Sequence, residues 1–369
     1  MIVGVPREVK VEEHRVSLLP GGVKPLATAG HRVLVQAGAG QGSGYPDADY
    51  AAAGAEIVPE AGAIWEQAEL IVKVKEPGLD EVARLRAGQV LFTYLHLAAN
   101  QELTDALVAS GATAIAYETV TVDGRRPLLE PMSEIAGRMS VIMGGHFLSK
   151  HTGGKGVLLG GVPGVLPGRV VVVGGGTAGI NAARMAEGLG ADVTILEVDL
   201  ERMRFLDITM PGTHTLFSNE DHLDGLLPTC DLLIGAVLLP GARAPKLIRR
   251  EMLRHLKPGS VLVDIAIDQG GCAETSRPTT HQDPTFVEEG VLHYCVANMP
   301  GAYARTATQA LTNVTQPYVQ ALADHGLEAA LALKPELAAG VNVRGGRVCC
   351  PQVAAAHGIT AREGSDRFG

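Results

Sequence analysis

Polar side chains follow several predicted strands of this chain at the points where the strands end. Lys75, His96 and Asp268 each come directly after a short apolar segment, and Arg15 lies in the polar loop after the first predicted strand. In open α/β sheets, ligands bind beyond the carboxyl ends of the strands. These four residues are therefore the first candidates for chemistry.

The four side chains suit a reaction in which a cofactor moves hydride while the protein moves protons. His96 can exchange a proton near neutral pH, and Asp268 can act as a base or orient water. Arg15 can hold a carboxylate through two parallel hydrogen bonds, and Lys75 can bind a carboxylate or polarise a carbonyl. Each also has a structural interpretation: a lone histidine in the core, a turn-shaping aspartate, or lysine and arginine as surface charges.

A glycine fingerprint in the middle of the chain predicts a dinucleotide site. Gly174, Gly176 and Gly179 form G-x-G-x-x-G between an apolar strand at 170–173 and an Ala-rich helix. Gly174 permits the tight turn, and Gly176 lets the backbone approach a pyrophosphate at the helix N-terminus. Gly179 lets helix and strand pack closely. The alternative is a glycine turn that binds nothing.

An acidic residue ends the next predicted strand. Glu197 lies 18 residues after Gly179 (197 minus 179). Its carboxylate can accept hydrogen bonds from the adenosine ribose and would repel a 2′-phosphate, so the pattern favours NAD over NADP.

Composition excludes several classes of protein. The chain has 369 residues, a net charge of -9 and 46% hydrophobic residues, which is typical of a globular protein that does not bind nucleic acid. No apolar stretch approaches a membrane span, and the N-terminus lacks signal-peptide features, so we expect a cytoplasmic protein. The five cysteines include no C-x-x-C pair, so we expect free thiols and no metal site.

Strands and helices alternate along most of the chain, which predicts an α/β fold with two doubly wound parallel sheets. We expect a Rossmann NAD-binding domain at 131–303, inserted into a flavodoxin-like substrate domain formed by 1–130 and 304–369, with a cleft between them. Predicted strands include 261–267 and 294–297, and Ser133 could be only the N-cap of a helix that starts the inserted domain. A long final helix should kink near Pro317.

A series of short motifs follows in order along nearly the whole chain: Gly4–Glu8 with Arg15–Val16, Gln36–Gly40, Val72–Pro77, Phe92–Ala98, Ala116–Thr119, Pro131–Glu134, Gly160–Val165, Val263–Gly271, Ser276–Thr280 and Val296–Pro300. In these motifs the chain resembles the bacterial alanine dehydrogenases, within a family that also includes the NAD-binding subunits of transhydrogenases.

The resemblance implies a homohexamer that oxidises L-alanine to pyruvate and ammonia with NAD, by way of an imine, and also works in reverse. It implies that Arg15 and Lys75 bind the substrate and that His96 and Asp268 are the catalytic pair. Residues at the family's other cofactor-binding positions are Ser133, Thr177, Ala178, Glu197, Arg202, Ser218, Val237, Leu238, Ile265, Ala266, Ile267, Asp268, Arg277, Val296, Ala297, Asn298 and Met299.

Two departures from the family pattern stand out. Glu197 occupies a position where the family usually has Asp, and Tyr303-Ala304 occupies a position where it usually has Val-Pro. We expect the first to affect NAD affinity, and the second to loosen the entry to the last helix and to alter substrate range or closure. The alternatives are a dehydrogenase of another small 2-amino or 2-oxo acid, and an NAD(H)-binding module of the transhydrogenase type.

Overall fold

The computed structural model describes residues 1–237 and 244–361. The chain forms two compact units, one made of Met1–Met132 together with the segment from Gly301 onward, the other of Ser133–Pro300. No helix in the two described ranges combines the length and apolar character needed to cross a membrane.

The strands are β1 Ile2–Val5, β2 Arg32–Gln36, β3 Glu56–Val58, β4 Leu70–Val72, β5 Val90–Thr93, β6 Thr113–Ala116, β7 Arg169–Val173, β8 Asp192–Glu197, β9 Thr213–Phe217, β10 Leu232–Gly235, β11 Val261–Asp264, β12 Thr285–Glu288, β13 Val291–Tyr294, β14 Val341–Arg344 and β15 Arg347–Val348.

The helices are α1 Pro20–Thr28, α2 Asp47–Ala52, α3 Ala61–Gln67, α4 Leu79–Val82, α5 Gln101–Ser110, α6 Glu130–Phe147, α7 Thr177–Gly188, α8 Leu200–Thr209, α9 Glu220–Leu226, α10 Ala304–Leu333, α11 Glu336–Gly340 and α12 Pro351–Ala356.

Both units contain a doubly wound sheet, which confirms the predicted fold class. In the first unit the order is β15-β14-β6-β5-β4-β1-β2-β3, and in the second it is β12-β13-β11-β10-β7-β8-β9. Strands β1 to β6 pair in parallel, whereas β14 and β15 are antiparallel. In the second sheet, as far as the described residues show, the edge strand β12 is antiparallel and the other strands pair in parallel.

The flavodoxin-like detail of the prediction is wrong. The parallel strands of the first unit run in the order 3-2-1-4-5-6, which is the dinucleotide-fold order and not 2-1-3-4-5. The reason is that β3 pairs at the outer side of β2 before the chain crosses over to β4. The second unit has the same order, so each sheet has its switch point beside its first strand.

The core of the second unit follows from the alternation of side chains along each strand. Val170 and Val172 pack on one face of the sheet with α7 residues, whereas Val171 and Val173 pack on the other face. Because both faces are covered, these strands read as continuous apolar runs in the sequence.

Several predicted boundaries differ from the structure. Strand β11 ends at Asp264 and continues as the 3₁₀ turn Ile265–Gln269, and β13 ends at Tyr294, where the predicted strand began. Ser133 lies inside α6 rather than at its N-cap. The last helix begins at Ala304 even without the usual proline, and its non-helical residue is Gly326 at φ 73° instead of Pro317, since glycine adopts positive φ without steric cost.

Candidate functional site

The candidate substrate residues of the first unit follow the strands at its switch point. Arg15 lies in the loop after β1, and Lys75 comes three residues after the end of β4, the strand that pairs with β1. Ser17 Oγ donates to the Val72 carbonyl at 2.7 Å, so the loop that carries Arg15 runs beside the end of β4, the strand that leads to Lys75.

Arg15 is almost fully buried, which excludes the interpretation as a surface charge. Its Nε and Nη2 donate to the two carboxylate oxygens of Glu13 at 2.7 and 2.5 Å, and Nη1 lies 3.1 Å from the Met132 sulfur. Burial alone lowers the pKa of Arg15, but the Glu13 pair outweighs it, so the net pKa is raised. Glu13 therefore binds the Nε–Nη2 edge of the guanidinium, which could otherwise bind a substrate carboxylate, and it fixes the guanidinium in place.

A buried charge cluster lies beneath this edge of the sheet. The Nζ of Lys73 is 2.9 Å from Glu81 Oε1 and 3.2 Å from Glu8 Oε2, and Glu8 Oε1 accepts the Val74 N–H. Burial lowers the pKa of Lys73, but the two carboxylates more than compensate and raise it, whereas burial raises the pKa of Glu8. The cluster anchors the end of β4 just before Lys75.

Lys75 itself belongs to a more accessible ion group. Glu76 pairs with Lys10 at 2.9 Å and with Lys75 at 3.5 Å. Burial alone would raise the pKa of Glu76. The nearby Lys75, His96 and Lys10 lower this pKa by a larger amount, so the net pKa is below its ordinary value. The Lys75 side chain is 15% exposed, so it is not an ordinary surface charge at the end of the strand.

His96 follows β5 in a strained conformation. Its φ of 49° and ψ of 37° lie in the left-handed region, where non-glycine residues are uncommon. The Glu118 carboxylate accepts the His96 N–H at 2.6 Å, and its imidazole stacks on the Tyr94 ring with centroids 5.9 Å apart. An outlier of this kind is typical of functional sites.

The glycine fingerprint of the second unit has the geometry that a pyrophosphate needs. Helix α7 begins at Thr177, directly after Gly176, and the N-cap makes no side-chain hydrogen bond. The first N–H groups of a helix lack intrahelical partners and attract anions. An added Cβ at Gly176 would meet no atom closer than Arg202 Nη1 at 3.7 Å, so this face of the loop is open to a ligand. The residues present fit a dinucleotide.

Gly174 and Gly179 are required for packing, as predicted from the spacing. Gly174 has φ 101° and passes close to the Ala236 carbonyl after β10, and a Cβ on Gly179 would lie 1.8 Å from the Gly174 carbonyl oxygen. The fingerprint therefore sits at the switch point between β7 and β10.

Glu197 holds the fingerprint loop together. One carboxylate oxygen accepts the Gly175 N–H at 2.8 Å, and the other accepts those of Val198 and Asp199 at 2.7 and 3.0 Å. Arg202 lies next to it, with Nη1 3.4 Å from the Gly175 carbonyl. The longer Glu side chain thus reaches the loop backbone itself.

The remaining predicted cofactor residues spread around the same end of the second sheet. Ser218 donates its N–H to the Glu197 carbonyl, and Val237 follows β10. Ser133 and Ala178 lie in α6 and α7, whereas Arg277 stacks on Phe286 at 4.1 Å. Leu238 lies outside the described residues. The others lie on or beside the turns after β11 and β13: Ile265, Ala266, Ile267, Val296, Ala297 and Met299.

Asp268 and Asn298 come together in the second unit. Asp268 is exposed on the 3₁₀ turn after β11, and Asn298 follows β13 with φ 60°. The Asn298 N–H donates to Asp268 Oδ1 at 3.2 Å. A second residue with positive φ therefore has its amide bound by a carboxylate, as His96 does in the first unit.

The turn that carries Asp268 is held by the fully buried Asp264. Its carboxylate accepts hydrogen bonds from the Ala266, Cys272 and Ala273 amides and from Ser276 Oγ, at 2.5–3.2 Å. Burial raises the pKa of the Cys272 thiol, which supports its structural interpretation.

Sequence reasoning missed the groups that support the candidate residues. Lys73 lies within the apolar run at 70–74, and Asp264 ends the run at 261–264. Both residues imply buried partners, because charges are rarely buried alone. Glu13 and Glu118 gave no comparable signal, although Glu118 lies within one of the motifs.

Comparison with known proteins places the chain in a family. The model described as "Alanine dehydrogenase/PNT, N-terminal domain" matches residues 4–136, and "Alanine dehydrogenase/PNT, C-terminal domain" matches 140–351. The chain belongs to the alanine dehydrogenase/PNT family. This finding confirms the resemblance that the motifs indicated.

Relatives in this family match over nearly the full chain. Alanine dehydrogenase of Halomonas elongata is 57% identical over 371 residues, covering 100% of both chains. A solved structure of L-alanine dehydrogenase has a TM-score of 0.92 at 50% identity, covering 97% of this chain and 99% of that one. A transhydrogenase structure from Sinorhizobium meliloti is more distant, with a TM-score of 0.79 at 26% identity, covering 95% and 99%.

Replacing Gly179 by alanine is expected to raise the Kd for NADH by about 5–150-fold, because about 1–3 kcal/mol of overpacking strain would displace α7 from the Gly174 turn. Fluorescence titration with NADH measures this. The control is Gly188→Ala at the end of α7, where an added Cβ meets nothing within 4 Å. Equal affinities for the two variants would contradict the packing argument.

Proposed function

We propose that the chain is an L-alanine dehydrogenase that oxidises L-alanine reversibly to pyruvate and ammonia, with NAD as its cofactor. The observation that carries this proposal is the full-length match, at more than half identity, to proteins named alanine dehydrogenase. The retention of Arg15, Lys75, His96 and Asp268 at strand ends supports it. The proposal includes a homohexamer, which is inferred from the resemblance, and a cytoplasmic location, which is inferred from the composition of the sequence.

The second unit would hold the cofactor. NAD bound to this unit would supply the acceptor for the hydride that leaves the Cα of alanine. The open face at Gly176 and the N–H groups at the start of α7 would bind the pyrophosphate, and Glu197 would face the adenosine ribose. The negative charge of Glu197 would disfavour a 2′-phosphate.

The first unit would bind the amino acid. Arg15, held rigidly by Glu13, is proposed to bind the substrate carboxylate together with Lys75. Because Glu13 fixes the guanidinium, the substrate would meet Arg15 in a fixed orientation. Such preorganisation lowers the cost of binding.

His96 and Asp268 are proposed to transfer protons during addition of water and departure of ammonia. A group positioned to transfer a proton contributes about 10²–10⁴-fold to the rate. Product analysis tests the proposal: oxidation of alanine by the purified protein should yield NADH, pyruvate and ammonia in equal amounts. Faster turnover of glycine or of a larger 2-amino acid would overturn the substrate assignment.

Replacing Glu197 by aspartate is expected to preserve the preference for NAD over NADP, because the negative charge stays at the end of β8. The ratio of kcat/KM for the two cofactors measures it. In Glu197→Gln, which lacks the charge but keeps the side-chain length, the preference for NAD over NADP should be smaller. A preference for NADP in Glu197→Asp would contradict the assigned role.

A further inference from the structure

The contact between Glu118 and His96 follows from the pairing of two strands. Thr93 of β5 pairs with Ala116 of β6. Leu95 and Glu118 each lie two residues beyond this pair. The parallel register therefore places the carboxylate of Glu118 beside the backbone that leads into His96.

The carboxylate binds two consecutive backbone amides. Glu118 Oε1 accepts the His96 N–H at 2.6 Å, and Oε1 and Oε2 lie 3.2 and 3.3 Å from the Leu95 nitrogen. Among the residues that the structure describes, every hydrogen bond of this carboxylate goes to one of these two amides. A charged acceptor makes such bonds stronger than neutral ones.

The bound backbone is the strained one. His96 has φ 49°, a conformation that persists in a histidine only where the surroundings enforce it. The turn Leu97–Ala99 that follows also begins from this conformation. Without the carboxylate, the backbone at 95–96 would relax toward an ordinary conformation, and the imidazole would leave its stacked position on Tyr94.

We infer that Glu118 is a positioning residue, which fixes the imidazole of His96 by binding the Leu95 and His96 amides. This inference rests on the proposed proton-transfer role of His96. Glu118 acts through the backbone and touches no reacting atom. Its loss should therefore lower kcat more than it changes the KM for alanine.

The test uses Glu118→Ala, Glu118→Gln, His96→Ala and the double variant. We expect kcat to fall about 10–100-fold in Glu118→Ala, as is usual when a supporting group is lost. The amide oxygen of Glu118→Gln can still accept a backbone N–H, so kcat should recover partly. The control is Glu56→Ala, which removes an exposed carboxylate paired with Arg32 and should leave kcat unchanged.

The double variant separates the positioning role of Glu118 from the proton-transfer role of His96. If Glu118 acts only through His96, adding Glu118→Ala to His96→Ala should lower kcat no further, because the two losses share one cause. Additive losses would overturn the positioning role, and so would an unchanged kcat in Glu118→Ala. A near-normal kcat in His96→Ala would instead overturn the proposed function of His96.

Hydrogen exchange supplies a readout that does not depend on activity. The amides of residues 95 and 96 should exchange faster in Glu118→Ala than in the unaltered protein, while Glu118→Gln should exchange at an intermediate rate. Unchanged exchange at these amides in Glu118→Ala would overturn the inference even if kcat falls.

Discussion

Replacing His96 by alanine is expected to lower kcat for alanine oxidation by about 10²–10⁴-fold, the contribution that a positioned proton-transfer group makes. The affinity for NADH should not change, because the glycine fingerprint belongs to the other unit. Steady-state kinetics and an NADH titration together measure the effect. A loss of kcat without a loss of cofactor affinity would indicate that the chemical step itself is impaired.

A second histidine provides the matched control. His325 lies on α10 in the same unit and is exposed, so His325→Ala should keep normal kcat and KM. Near-normal turnover in His96→Ala would contradict the role of His96. Equal losses in both variants would indicate a general effect on the fold.

Replacing Lys73 by methionine is expected to lower the free energy of unfolding by about 3–5 kcal/mol, the usual effect of removing one partner from a buried ion group. Methionine fills similar space, so the loss comes mainly from leaving Glu8 and Glu81 buried without their cation. Urea-induced unfolding followed by circular dichroism measures this change.

Two further variants test the cause of that loss. Adding Glu8→Gln and Glu81→Gln to Lys73→Met should recover more than half of the stability, because the neutral amides can still accept the Val74 and Gly78 N–H groups. Arg32→Met breaks an ion pair in which both side chains are more than half exposed, and it should cost no more than about 1 kcal/mol. Equal losses for Lys73→Met and Arg32→Met would contradict the buried-charge account.

The parts of the molecule that sequence predicts well depend on local patterns. The fingerprint Gly174–Gly179 and the strands on either side of it require only a short stretch of chain, so their structure follows from spacing and apolar runs. The strand-end positions of Lys75 and His96 are predictable for the same reason, since a buried strand ends where polar residues begin.

The supporting contacts could not be predicted because they depend on how distant strands pair. Glu118 meets His96 only through the register of β5 with β6. The strand order of the first unit was missed for a similar reason, because alternation of strands and helices is equally compatible with two doubly wound orders. The last helix is interrupted at Gly326 and not at Pro317, and sequence alone does not distinguish the two positions because both glycine and proline can interrupt a helix.

The most direct test of the central claim is formation of NADH when the purified protein alone is given L-alanine and NAD, followed by absorbance in the near ultraviolet. The proposed function predicts sustained NADH formation that requires alanine and stops when His96 is replaced. Bound NAD without any turnover would contradict it and would favour an NAD(H)-binding module of the transhydrogenase type.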